Sequence, residues 1–290
     1  MKALKFIFSL SVSLCLTLGL FIVQFSFFTH MKLLKPELYT NRLESLTLYS
    51  AIDASIKSDL AAIAKSCNFP KDIFNDIVSY NWVRDQIVAS TYQTIDYMSF
   101  KKASVPKVDT SYVSEKLISN INNYLISSNI PVNETAKKDL DELNREIQTS
   151  IKNNINAFSV NKLSNSGYFQ NFRLHAYWLY AYKTSIIIAN LFLILILLII
   201  NIRSFSLFAS WCGYCFIAAG LLALLPSLVF IISKSTDRIF FSSNILKLLA
   251  VPTILDYINF FVYTGIGFIS IGALLILLYG LLEARKRNVK

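Results

Sequence analysis

Four long runs of apolar residues constrain this chain more than any other feature of its sequence. A helix needs about 20 predominantly apolar residues to cross the hydrocarbon core of a bilayer. The chain as a whole is 54% hydrophobic and only 16% charged, whereas soluble domains carry about 25% charged residues. We therefore predict an all-α membrane protein with four transmembrane helices. The runs are Phe6 to Phe28, Ser185 to Ile200, Leu207 to Ser233 and Tyr257 to Leu282.

Basic residues flank these runs in an order that predicts the orientation of the chain. They lie at the start, after the second run and at the end, where Glu283 is the single acid among them. They are Lys2, Lys5, Arg203, Arg285, Lys286, Arg287 and Lys290. Cytoplasmic segments carry an excess of Lys and Arg, so we expect a multi-pass plasma-membrane protein with both termini cytoplasmic and residues 30–183 extracytoplasmic. This asymmetry accounts for much of the net charge of +10, and we expect no nucleic-acid partner.

The first run is expected to persist as an N-terminal signal anchor over residues 1–29. It follows a basic start, and it is longer than the apolar stretch of about 7–15 residues in a cleaved signal peptide. A cleavage site also needs small residues, and the stretch from Gln24 to His30 is bulky.

Residues 30–183 have a different composition, which predicts a helical domain. They contain one glycine, Gly167, and isolated prolines, which favours long helices over strands joined by tight turns. Apolar residues recur every three or four positions along four stretches, as in amphipathic helices. The four sets are Leu46, Tyr49, Ile52, Ile56, Leu60 and Ile63; Val83, Ile87, Thr94 and Met98; Val113, Leu117, Ile121, Tyr124 and Leu125; and Leu140, Leu143, Ile147, Ile151, Ile155 and Phe158. We expect an antiparallel helical bundle inserted between transmembrane helices 1 and 2, with Asp109 and Asn133 as helix N-caps.

Residues 184–282 are expected to form a three-helix transmembrane region, followed by a basic cytoplasmic tail over residues 283–290. Within this region, residues 234–256 form an outer segment in which Asp237 is a candidate N-cap. One helical face there would carry Phe241, Ile245, Leu248 and Leu249. This pattern favours a short helix at the membrane interface, and an ordered loop packed on the outer domain fits the same residues.

The middles of the apolar runs carry no charge, but the runs contain uncharged polar residues, and we single out four of them. With the predicted orientation, all four belong to the outer half of the bilayer: Gln24, Asn190, Ser227 and Asn259. An amide without a partner is costly in hydrocarbon, so we expect these side chains to bond to one another or to the backbone. We interpret them as an intramembrane polar cluster that fixes the helix geometry, with a binding site as the alternative.

Glycines recur in the third and fourth runs at spacings close to whole helical turns. They are Gly213 and Gly220 in the third run and Gly265, Gly272 and Gly280 in the fourth. Small residues at such spacings let helix backbones approach closely in lipid. We predict that these two helices pack together through the glycines, with a gating or dimer face as the alternative. Pro226 is expected to kink the third helix.

The sequence Trp211-Cys212-Gly213-Tyr214-Cys215 resembles the redox motif of thioredoxin-type proteins over five residues. That fold places a strand before the motif, and no strand pattern precedes it here. The vitamin K epoxide reductase family is similar in having four spans and a Cys-x-x-Cys pair in one of them. This resemblance implies a membrane dithiol oxidoreductase that uses Cys212 and Cys215. The other interpretation is that both are small packing residues, since Cys15 and Cys67 are single and offer no second pair.

Metal and acid-base chemistry find little support in the sequence. The two histidines, His30 and His175, lack metal-ligand spacing, so we expect no metal, no cofactor and no catalytic residues. The predicted cytoplasmic segments are short. We therefore expect a non-enzymatic sensor, adaptor or scaffold that presents its outer domain to a ligand or partner. It would act through a membrane-protein partner or a homo-oligomer in the lipid bilayer.

One further function fits the layout of the chain. One span, a large outer domain and three more spans resemble the layout of permeases in cell-division and mechanotransmission-type ABC systems. This resemblance implies a transport subunit. The turn from Asn201 to Ser206 is, however, shorter than the cytoplasmic elements by which such permeases hold their ATPase.

Overall fold

The computed structural model describes residues 2–70, 72–130, 134–155, 164–241 and 244–288. The fold is all-helical, with 85% helix and no strand in these ranges, which confirms the predicted all-α class. The helices are α1 (Lys2–Phe28), α2 (Pro36–Ser45), α3 (Leu48–Ser66), α4 (Asp72–Asn75), α5 (Tyr80–Met98), α6 (Ser111–Ser127), α7 (Glu134–Ile155), α8 (Gly167–Ala181), α9 (Lys183–Ile200), α10 (Phe205–Ile232) and α11 (Asn244–Asn288). A π-helical turn (Thr29–Leu33) follows α1, and a 3-10 turn (Ser235–Arg238) follows α10.

The chain divides into two compact units. The spanning unit comprises Met1–Leu34, Leu174–Phe241 and Ala250–Lys290, and the bundle unit comprises Lys35–Arg173 and Ser242–Leu249. Each unit has its own cluster of buried apolar residues.

In the described part of the chain, four helices are long and apolar enough to cross a membrane, which confirms the predicted number of spans. Their apolar stretches cover Ala3–Leu33, Lys183–Ile200, Phe205–Ile232 and Leu246–Arg285. The first three agree with the predicted runs to within a few residues. The length and composition of these helices mark the chain as a multi-pass membrane protein.

Side-chain contacts give the relative directions of α1, α9 and α10 in the spanning unit. Near the start of α1 the Phe6 ring packs on Trp211 with centroids 5.7 Å apart. Further along, Gln24 Nε2 donates to the Ala219 carbonyl at 3.0 Å, so α1 and α10 run parallel. Ser26 Oγ donates to the carbonyl of Leu179, which precedes α9, at 2.7 Å. Because the late part of α1 thus meets the segment that leads into α9, these two helices run antiparallel.

The last helix, α11, runs antiparallel to α1 and α10. The Phe28 ring at the end of α1 packs on Tyr257 and Phe261, with centroids 4.9 and 5.0 Å away. At the opposite end of the unit, Ser206 Oγ donates to the carboxylate of Glu283. The first residues of α1 and the last residues of α11 therefore lie at the same end of the spanning unit.

The core of the bundle unit is built from the periodic apolar residues that the sequence analysis identified; each such set is called a stripe below. Residues of α3, α5, α6 and α7 share one core. The buried members of the predicted stripes are Tyr49, Ile52, Ile56, Leu60, Ile63, Val83, Ile87, Met98, Val113, Leu117, Ile121, Leu125, Leu143, Ile147, Ile151 and Ile155. Leu46, Tyr124 and Leu140 are partly buried against the same core. The stripe residue Phe158 lies outside the described residues.

A buried arginine ties the start of α8 to the end of α5 within the bundle unit. Arg173 is 7% exposed, and its guanidinium carbon lies 3.7 Å from the ring centroids of both Tyr97 and Phe100. Its Nε donates to the Tyr97 carbonyl at 2.7 Å. Phe100 has a positive φ of 59°, which is unfavourable for a bulky residue. The cation–π contact, worth about 2 kcal/mol when desolvated, helps to hold this turn.

One of the two predicted N-caps was wrong in detail. The N-cap of α6 is Thr110 rather than Asp109, although Asp109 Oδ1 accepts from the backbone N–H and the hydroxyl of Ser111, at 2.9 and 2.7 Å. These hydrogen bonds lower the pKa of Asp109. The other predicted N-cap, Asn133, lies outside the described residues.

The outer segment over residues 234–256 does not form a separate interfacial helix. Asp237 lies inside the 3-10 turn, and α11 begins at Asn244 and continues through Pro252 into the fourth apolar run. Leu249 is buried in the bundle core, whereas Leu248 is 47% exposed. The helix continues although a proline removes one backbone hydrogen bond and its ring crowds the carbonyl four residues earlier. Pro226 likewise lies inside a continuous α10.

Replacing Ile147 with Ala is expected to destabilise the bundle unit. The side chain is fully buried, and removing it leaves a cavity that costs about 2–5 kcal/mol of unfolding free energy. Hydrogen exchange of α7 amides in the purified full-length protein, followed against urea concentration, measures the loss. Ile126→Ala is the matched control, because Ile126 is 75% exposed and should change stability by less than about 0.5 kcal/mol. Equal effects of the two variants would contradict the assigned core.

Candidate functional site

Gln24 joins two helices of the spanning unit. Its side chain is 1% exposed, and its Nε2 bonds to the Ala219 carbonyl, as described above. Its Oε1 is buried and has no hydrogen-bond partner among the described residues. The residue thus links α1 to α10 through one amide atom and leaves the other without a donor.

Asn190 fills a space that a glycine provides. It is 6% exposed, and its Nδ2 donates to the Ile186 carbonyl of its own helix at 2.8 Å. Its Oδ1, which also has no partner among the described residues, lies where a Cβ on Gly19 would overlap it. The position of the Asn190 side chain between α1 and α9 therefore depends on glycine at position 19. Sequence reasoning missed this role, although a lone glycine in the middle of the first span was its signal.

Ser227 and Asn259 occupy different surroundings. Ser227 Oγ donates to the Ala223 carbonyl within α10 at 2.8 Å. Asn259 is exposed and lines a pocket of about 310 Å³ beside the Lys32–Asp256 ion pair, whose Nζ and Oδ2 are 3.1 Å apart. Among the described residues no hydrogen bond joins two of the four predicted cluster side chains, and three of them bond to backbone carbonyls instead.

Cys212 and Cys215 pack inside the spanning unit. They are 3% and 2% exposed and belong to its buried apolar cluster with residues of α1 and α9. Both are free thiols, and Cys215 Sγ donates to the Ser13 carbonyl at 3.3 Å. Reactive cysteines lie in electropositive and partly exposed surroundings, whereas this pair lies among apolar side chains.

Glycines let α10 and α11 come into backbone contact at two levels. A Cβ on Gly220 would lie 2.6 Å from the carbonyl oxygen of Gly265, and a Cβ on Gly272 would lie 2.6 Å from that of Gly213. In each pair the two glycines face each other across the antiparallel crossing. The number of residues between the two pairs is the same along both helices. Gly280, which sequence spacing placed on the same face, differs from them, because a Cβ there would meet no described atom within 4 Å.

The bundle unit carries an open polar groove of about 720 Å³ between α3 and α7. Its polar lining includes Asp59, Glu142, Arg145, Glu146, Thr149 and Asn153. Asp59 Oδ2 accepts hydrogen bonds from Ser150 Oγ at 3.0 Å and from Asn154 Nδ2 at 2.8 Å. Ser55 Oγ in turn donates to Asn154 Oδ1 at 2.9 Å. This network fixes one carboxylate in the groove, and such convergent polar groups are what orient a bound ligand.

Metal binding finds no support in the described part of the chain, where no group of three or more His, Cys, Asp or Glu could hold an ion. His30 stacks on Tyr180 instead, with ring centroids 5.3 Å apart.

Comparisons with protein-family models, with curated proteins and with solved structures give no significant match to this chain.

Replacing Gly220 with Ala is expected to push α10 away from α11. The added Cβ would meet backbone, which cannot move aside as a flexible side chain can, and such overpacking costs about 1–3 kcal/mol. Thermal unfolding in detergent should show a lowered midpoint.

Gly267→Ala and Gly280→Ala are the matched controls, since a Cβ at either position would meet no described atom within 4 Å. They should leave the midpoint unchanged or raise it slightly, because Ala favours helix over Gly. A Gly220→Ala protein as stable as these controls would contradict the glycine contact.

Proposed function

We propose that this chain is a non-enzymatic plasma-membrane protein that presents its bundle unit outside the cell to bind a ligand or partner. In this proposal both termini are cytoplasmic, residues 1–29 are a signal anchor, and residues 30–183 are extracytoplasmic. The protein acts as a sensor, adaptor or scaffold. It passes the binding event on through a second membrane protein or a second copy of itself.

The observation that carries this proposal is the polar groove between α3 and α7. A carboxylate that is already oriented by Ser150 and Asn154 loses little entropy when it binds, because it is held in place beforehand. Glu142, Arg145 and Glu146 line the groove around it and add charges of both signs. A groove of this kind suits a polar surface on a partner better than an apolar small molecule.

The proposed membrane partner is supported by a short link between two helices of the spanning unit. The link between α9 and α10 contains only residues 201–204, and the basic flanks support placing this link in the cytoplasm. So little chain offers no room for a cytoplasmic output domain between these helices. Contact between spans is then the simplest route for a signal to cross the bilayer.

Site-specific photo-crosslinking in living cells tests the proposal. A benzophenone side chain at Thr149 or Arg145 lies in the groove, and one at Ser119 or Asn123 lies on the exposed face of α6. We expect the groove positions to give one discrete protein adduct and the α6 positions to give none. Asp59→Asn should weaken the groove adduct, whereas Asp139→Asn, at an exposed position of α7, should not. No adduct at the groove, or the same adduct from α6, would contradict the proposal.

A further inference from the structure

The spanning unit has a second cavity at the end where α1 begins and α11 ends. Its volume is about 610 Å³, and residues of α1, α10 and α11 line it together with Asn201. This volume falls within the usual range of about 300–1,000 Å³ for ligand pockets. Phe6, Leu207 and Tyr214, which form part of its wall, are 57%, 43% and 58% exposed, so the cavity is open along the side of the helices and not only at their ends.

The lining combines an apolar wall with a few polar groups. Phe6, Trp211 and Tyr279 supply aromatic surface, and Lys5 supplies an ammonium group at the mouth. Ser9 also lines the cavity and is 1% exposed. Its hydroxyl can donate a hydrogen bond to an ester or phosphate oxygen.

The charged side chains around the mouth of the cavity indicate the sign of the charge on the ligand. Lys5, Arg203 and Arg285 are exposed, and none of them forms an ion pair with a described residue. At this end Glu283 accepts a hydrogen bond from Ser206. Basic groups beside a membrane surface attract anionic lipids, at about 1 kcal/mol for each Lys or Arg.

We propose that this cavity binds one anionic phospholipid from the surrounding leaflet. The phosphate pairs with Lys5, an oxygen of the glycerol ester region accepts from Ser9, and an acyl chain lies along Phe6, Trp211 and Leu207. The site does not depend on what the bundle unit binds. It gives the spanning unit a preference for the lipid composition around its positively charged end.

Quenching of Trp211 by brominated lipids tests this assignment. The other two tryptophans are first replaced, as Trp82→Phe and Trp178→Phe, so that fluorescence reports only the cavity. The protein is then reconstituted in mixed vesicles of phosphatidylcholine and phosphatidylglycerol, in which only one of the two lipids carries brominated chains. At equal mole fractions we expect phosphatidylglycerol to occupy the site about fivefold more often, as one ammonium near a phosphate predicts.

Lys5→Gln should abolish this preference. Lys234→Gln is the matched control, because Lys234 lies beyond the far end of α10, and it should leave the preference intact. Equal quenching by the two lipids in the unsubstituted protein would mean that only ordinary boundary lipid is present, and it would overturn the proposal. An absence of quenching by either lipid would overturn it too, since a protein helix or a closed wall would then exclude lipid from the cavity.

Discussion

Hydrocarbon offers backbone N–H and C=O groups no partners, and this constraint shapes the spanning unit. An apolar segment in lipid must satisfy its backbone within itself, which leaves the helix as the available form. Once helices have formed, apolar side chains gain little by leaving lipid for one another. Close packing and a few hydrogen bonds must therefore hold the helices together. Close packing comes from the glycine contacts Gly213–Gly272 and Gly220–Gly265. A hydrogen bond between helices comes from Gln24, which donates to the Ala219 carbonyl.

The bundle unit is stabilised in a different way from the spanning unit, because water surrounds it in the proposed arrangement. Burial of the apolar stripes of α3, α5, α6 and α7 drives its assembly, so side-chain shape matters there more than backbone approach. Glycine is correspondingly scarce in residues 30–183 and recurrent in the spans. Polar groups outside the bundle core remain free to be arranged for binding, as the Asp59 network in the α3–α7 groove illustrates.

Periodicity and run length predicted the helices well, because they are local properties of the sequence. The stripe from Leu143 to Ile155 is buried as expected, and the four spans follow from apolar length alone. The features that were not predicted depend on contacts between residues distant in sequence. The predicted outer segment ended at Asp256, yet α11 continues through this residue, and Asp256 pairs with Lys32. No local pattern indicates that Arg173 lies between the rings of Tyr97 and Phe100.

The candidate sites were still harder to foresee. The four polar residues were recognised from their cost in lipid, and three of them bond to backbone carbonyls, which is one of the two expected arrangements. Spacing did not indicate that Asn190 also fills the space above Gly19. Such contacts depend on how helices cross, which spacing within one helix does not specify. The groove and the cavity likewise arise from elements that are remote in the chain.

The orientation of the chain is the central claim, and the native thiol Cys67 tests it most directly. Cys67 is exposed in the bundle unit, whereas Cys212 and Cys215 are buried. A membrane-impermeant maleimide applied to cells with an intact plasma membrane should label Cys67, and Cys67→Ser should abolish that signal. In the Cys67→Ser background, a cysteine introduced by Asn288→Cys should react only after permeabilisation. Labelling of both positions under the same condition would place the bundle unit and the C-terminal tail in one compartment and contradict the proposed orientation.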